Sequence, residues 1–160
     1  MKKLKSLYTI AIVFLLTSCG FTPMLKEVDL SKVQIKSISY EGPSGLTYYL
    51  KSNLNINTSR AFNNGYTVKM NISEATSSVT KNTAGITTEE EVKVTIGFSI
   101  VDKNNKKIGE DSVSGSRVVS VTNNVSTDDE VKRIEKENII TNLIQQLTFS
   151  IRAKIISSQQ

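Results

Sequence analysis

The stretch Glu91–Val101, "EVKVTIGFSIV", decides the fold class. Val92, Val94, Ile96, Phe98 and Ile100 fall at every second position, and Lys93, Thr95, Gly97, Ser99 and Val101 fill the alternate ones. A strand turns successive side chains to opposite faces, so this period of two predicts a strand with one dry and one hydrated face. One dry face needs one layer of cover. A sheet covered on one side by helices is therefore the expectation for the remaining segments.

The neighbouring segments extend the pattern. "DKNNKK" (Asp102–Lys107) is short and polar, as a hairpin turn requires. Beyond it, "IGEDSVSGSRVVSV" alternates Arg117, Val119 and Val121 against Val118 and Ser120, with Gly115 expected at a bulge where the parity changes. Upstream, "YTVKMNI" sets Tyr66, Val68, Met70 and Ile72 against Thr67, Lys69 and Asn71. The intervening "EATSSVTKNTAGITTEEE" is rich in Thr and Ser. It reads either as continued strand with a polar tip or as a solvated loop, and a loop over 76–87 is the expectation.

"VQIKSISY" (Val33–Tyr40) alternates imperfectly, but its β-branched content and the "EGPSG" stop predict a first strand. Ser44 is the expected N-cap of a helix carrying Leu46, Tyr49, Leu50 and Leu54 at helical spacing, and Asn64-Gly65 marks a turn after it. The closing helix starts with Thr127 and Glu130 in capping-box spacing, with Asp128 and Asp129 favoured by the positive helix end. Ile140, Leu143, Ile144, Leu147, Ile151 and Ile155 form its apolar stripe, read as sheet-packing core with a partner-binding seam as the alternative. The order is β-α-β-β-β-α. The fold class is α+β: a two-layer sandwich of about four strands with two helices on one face, spanning residues 32–157.

Composition narrows the chemistry. The chain has 20 basic and 15 acidic residues, no histidine and one cysteine. Lys2, Lys3 and Lys5 account for much of the positive excess, so the basic balance gives no case for nucleic acid. Without histidine there is no His-based triad, and a lone cysteine forms neither an internal disulfide nor a CxxC site. No phosphate-binding Gly loop or GxSxG elbow is present. The expectation is a protein without catalysis, metal or cofactor.

The amino terminus accounts for the cysteine. "MKKLKS" is a positive n-region, and Leu7–Leu16 is an apolar run too short to span a bilayer, which needs roughly 20 helical residues. "LTSC" (Leu16–Cys19) follows directly and has the form of a bacterial lipobox. Small Thr17 and Ser18 suit peptidase cleavage between Ser18 and Cys19, and the Cys19 thiol is the group able to form a diacylglyceryl thioether. The expected organisation is a removed signal peptide over 1–18, a lipidated start and tether over 19–31, then the domain. Gly20 stands where an inner-membrane retention Asp is often found, so the expected location is the outer membrane, lipid-anchored on the periplasmic side. Pro23 suits an extended leash.

Lipobox followed by "CGFTPML" resembles the start of the lipopolysaccharide-assembly lipoprotein family LptE, with Cys19, Gly20, Phe21 and Pro23 matching and Met24 in place of the usual leucine. The likeness continues through "YYLKSNL", the hairpin "VDKNNKKIG" and the final amphipathic helix. It implies a two-layer domain that plugs the outer-membrane β-barrel LptD, assists its assembly and supports lipopolysaccharide transport to the cell surface. Lipopolysaccharide phosphates would be met by basic residues, for which Lys81, Lys93 and Arg117 are the candidates, against the plain reading of each as a solvated charge. One departure stands out. The family often carries a basic residue entering the long strand, whereas this chain has Glu89, Glu90 and Glu91, which repel phosphate. The competing expectation is a periplasm-facing lipid carrier, disfavoured by 6% aromatics and no tryptophan. A carboxylate hydrolase using Glu89–Glu91 lacks any positioned partner.

Overall fold

The computed structural model describes residues 33–159. The expected signal peptide over 1–18, Ser18, Cys19 and the expected tether over 19–31 lie outside the described residues.

Six elements follow one another: β1 (Ile35–Glu41), α1 (Ser44–Asn53), β2 (Tyr66–Lys81), β3 (Thr87–Val101), β4 (Lys107–Ser120) and α2 (Val125–Ser157). They form a four-stranded sheet in the order β1-β2-β3-β4. β1 runs parallel to β2, and the two hairpins β2-β3 and β3-β4 are antiparallel. The α+β class, the element order and the one-sided cover agree with the sequence reading.

β3 sits second from the edge and sets the sheet's polarity. Val92, Val94, Ile96, Phe98 and Ile100 are all buried beneath the helices. Across the ladder Val68, Met70 and Ile72 of β2 and Val113 and Val119 of β4 add to the same face. From above, Leu46 and Leu50 of α1 and Ile139, Ile140, Leu143, Leu147, Ile151 and Ile155 of α2 close the core. The apolar stripe of α2 is thus core, with Ile144 packed at its margin. Each such side chain contributes on the order of 1.5–3 kcal/mol when fully buried.

Five local expectations are corrected. The imperfect alternation of β1 is a bulge: the register shifts between Ile35 and Ser37, so Ile35, Ile38 and Tyr40 all reach the core side. The segment read as a solvated loop is strand, with β2 continuing to Lys81 and β3 beginning at Thr87. Its hydroxyl-rich composition lacks an apolar face because this arm passes beyond the buried core and packs nothing dry. Gly115 is not a bulge. The β3-β4 register runs unbroken from Glu89–Ser120 to Ile100–Gly109, and a Cβ at Gly115 would stand 3.0 Å from Ile139 Cγ2. The glycine lets α2 approach the sheet. At the helix starts, Pro43 rather than Ser44 is the N-cap of α1, without a side-chain cap. Asn124 caps α2, its side chain accepting from Thr127 N, in place of the Thr127–Glu130 box.

Candidate functional site: the uncovered sheet face and the charged seam

Helices cover one face of the sheet, so the other face is the first surface available to a partner. The register assembles it row by row. Lys69, Ser99 and Glu110 lie side by side, then Asn71, Gly97 and Ser112, then Ser73, Thr95 and Ser114, then Ala75, Lys93 and Ser116. β1 extends two of these rows with Ser39 and Glu41. The middle of the face is therefore small, hydroxyl- or amide-bearing and uncharged, framed by Lys69, Glu41 and Glu110 on one side and by Lys93 on the other.

Gly97 makes the dent in this face. With no side chain there, Lys69, Asn71, Ser99, Ser112, Glu41 and Glu110 rim a shallow concavity of about 540 Å3. Its floor offers hydroxyl and amide groups, with Met70 and Phe98 of the lining buried in the core, which suits a hydrogen-bonded and hydrated contact.

The second surface is a seam of charge where α2 leaves the dry core. Beyond Ile72, β2 turns Glu74 toward the helices, and Lys136 pairs with it at 2.5 Å. Lys132 reaches Glu90 at 3.2 Å and Asp129 at 3.5 Å. Its ammonium is held above the usual lysine range, chiefly by the hydrogen bond to Glu90. Arg133 donates to Glu130 at 2.7 Å and Glu137 at 2.5 Å, which raises its already high pKa. A cleft of about 500 Å3 opens between the starts of α1 and α2 above Glu74, Thr76 and Glu90. Cations and carboxylates alternate along it and satisfy one another, so it presents no single sign of charge to a ligand.

Among the described residues, Asp128 is the one charged residue that is buried. Its Oδ1 accepts from Thr122 N at 2.8 Å and Thr122 Oγ1 at 2.9 Å. The backbone hydrogen bond from Thr122 is the main cause that holds the carboxyl below its usual range. The residue ties the end of β4 to the first turn of α2, a structural use of a side chain expected only to favour the helix end.

The three basic candidates do not converge. Lys81 ends β2 opposite Thr87, near the hairpin tip. Lys93 is exposed on the uncovered face, six residues along β3 from Thr87, about 20 Å away at strand spacing. Arg117, read as a phosphate candidate or a solvated charge, shares the parity of Val113 and Val119 and lies on the helix side, 3.5 Å from Glu135. Two of the three acidic residues are also engaged: Glu90 holds Lys132, and Glu89 accepts from Thr80 Oγ1 at 2.6 Å. The rows around Gly97 were not singled out from the sequence. Their signal was there, since every alternate residue of β3 and β4 in that region is small.

No protein-family model matches the sequence, and no curated protein matches it. Among solved structures the chain is similar to a minor lipoprotein from Acinetobacter baumannii, at 22% identity and a TM-score of 0.56, over 76% of this chain and 93% of that one. It is also similar to the rare lipoprotein B from Shewanella oneidensis (15% identity, TM-score 0.53, 75% and 98%). A lipoprotein B from Nitrosomonas europaea is a third (10% identity, TM-score 0.55, 79% and 88%). All three are bacterial lipoproteins, and what the chain has in common with them is the fold.

Proposed function

We propose that this protein is an outer-membrane lipoprotein, anchored through lipid on Cys19 and facing the periplasm. Its domain plugs and assists assembly of an LptD-type β-barrel and so supports lipopolysaccharide transport to the cell surface. The role is non-catalytic and uses no metal or cofactor. The observation that carries the reading is the uncovered sheet face. A barrel lumen is polar, and a plug inside it has to meet that wall with hydrogen-bonding groups rather than an apolar patch. Rows of Asn71, Ser112, Ser73, Thr95, Ser114 and Ser116 supply such groups with little side-chain bulk to clash.

Further support comes from the lipobox, from the LptE-like "CGFTP" start, and from the fold common to this chain and several bacterial lipoproteins. The lipid-carrier reading gains no such support. Both clefts described above are open and lined by charged side chains, which gives an acyl chain no dry pocket.

The test is recovery from membranes in mild detergent, followed by mass spectrometry. Stable co-purification with a large β-barrel protein is expected, and recovery of the free lipoprotein alone would sink the reading. Cys19→Ala tests the anchor separately: the variant is expected to leave the membrane fraction, and full retention without lipid would refute lipid anchoring.

A further inference from the structure

The two edges of the sheet are built differently. β1 is seven residues long, is bulged between Ile35 and Ser37, and is flanked by a segment whose Ser59 N donates to Ile35 O. β4 offers 14 residues with an unbroken register over most of its length and no proline. Proteins usually blunt such an edge with bulges, prolines or cover.

Two hydrogen bonds fix which way the β4 backbone points. Val121 N donates to Thr88 O of β3, so odd-numbered groups bond inward. Ser112 N donates instead to Asp111 Oδ1, so even-numbered groups face outward. Among the described residues, Ser114, Ser116 and Val118 share that outward parity without a side-chain cap on their N–H.

We propose that the β4 edge pairs with β4 of a second copy of this chain, antiparallel about a two-fold axis at Ser114. Charge complementarity selects both the occupant and the register. With Ser114 opposite Ser114, Ser112 faces Ser116 and Asp111 faces Arg117, once on each side of the axis. Even-numbered residues then meet even-numbered ones, as an antiparallel ladder requires. A shift of two residues sets Asp111 opposite Gly115 or Val119 and loses both charge pairs. Asp111 and Arg117 are each about half exposed, and their ion pairs within the chain, 3.6 Å to Lys154 and 3.5 Å to Glu135, are long; the 2.8 Å cap of Asp111 Oδ1 on Ser112 N is the one short contact that the pairing has to exchange.

The pairing concerns the chain outside a barrel, since a domain enclosed in a lumen has no free sheet edge, and it rests on the lipid anchor of the proposed function. One strand edge buries less than the roughly 1,000 Å2 of a stable interface, so the dimer is weak in dilute solution and favoured by confinement to a membrane surface.

The test uses the full-length chain in membranes of a Gram-negative host, with a short bismaleimide crosslinker. Ser114→Cys is expected to give a product of twice the chain mass, and Lys93→Cys on the neighbouring strand is not. Unmodified chain controls for any free Cys19 thiol. Adding Asp111→Arg should lower the Ser114→Cys product about tenfold, and adding Arg117→Asp as well should restore it, since the swapped charges again face each other between copies. Contacts within each chain stay reversed in that double variant, so restoration reports the second copy. Equal product from Lys93→Cys, no doubled product from Ser114→Cys, failure of the double swap to restore it, or crosslinking to a different protein would each overturn the proposal.

Discussion

At the residue scale, two side-chain positions hold α2 in place by opposite means. Gly115 works by absence: any Cβ there meets Ile139 Cγ2 at 3.0 Å and Leu143 just beyond. Gly115→Val adds two further methyl groups to that contact, so it is expected to destabilise the fold by about 1–3 kcal/mol, read as a lower urea midpoint at unchanged slope. Asp128 works by charge. Its folded pKa lies below the ordinary value, so the carboxylate stabilises the fold above the unfolded pKa of about 3.9 and loses that effect as pH falls through the folded value. Asp128→Asn is expected to unfold at lower urea than the parent between pH 5 and 7. That gap should close at low pH, where the parent carboxyl is itself neutral. A gap that stays constant down to the lowest pH would assign the effect to shape rather than charge.

At the element scale, the two hairpins have the same turn written in different residues. Asp102 Oδ1 accepts from Asn104 N and Lys106 N, and Asn105 takes positive φ. Asn82 Oδ1 accepts from Ala84 N and Ile86 N, and Gly85 takes positive φ. Each is a polar residue capping its own turn, followed by a left-handed residue that redirects the chain. "DKNNK" was legible as a turn because apolar alternation leads into it on one side. "NTAGI" has the same grammar but lies between hydroxyl-rich strands, and hydrophobic period has nothing to register where neither face is dry. This is also why β1, α1, the core of β2, β3 and the stripe of α2 were legible, while the β2-β3 arm, the seam and the Gly97 dent were not. Burial writes a period into sequence; polar contacts between elements do not.

The arm yields a prediction at the same scale. Its link to α2 depends on Lys132–Glu90 and Lys136–Glu74, whose lysine side chains are largely buried. Lys132→Met with Lys136→Met should speed amide exchange over Thr76–Lys81 and Thr87–Glu91 by roughly five- to tenfold and leave Val94–Ile100 protected. Equal acceleration in both regions would mean that the arm and the core open together.

For the whole molecule, the layers divide the work: one face of the sheet is spent on folding, which frees the other for contact. Gly97 separates these two demands. A Cβ there would find Asn71 O at 3.9 Å, ordinary contact distance, and the residue does not have positive φ. Gly97→Thr therefore suits the strand, replacing a flexible residue by a β-former, and should leave stability unchanged or raise it by about 0.5–1 kcal/mol. The same side chain fills the dent between Asn71 and Ser112 on the uncovered face. If that face seats against a barrel wall, the variant should fold, reach the membrane and yet recover several-fold less barrel protein in the detergent pull-down. Undiminished recovery with intact stability would move the contact away from the Gly97 rows, to the arm or to the helix side.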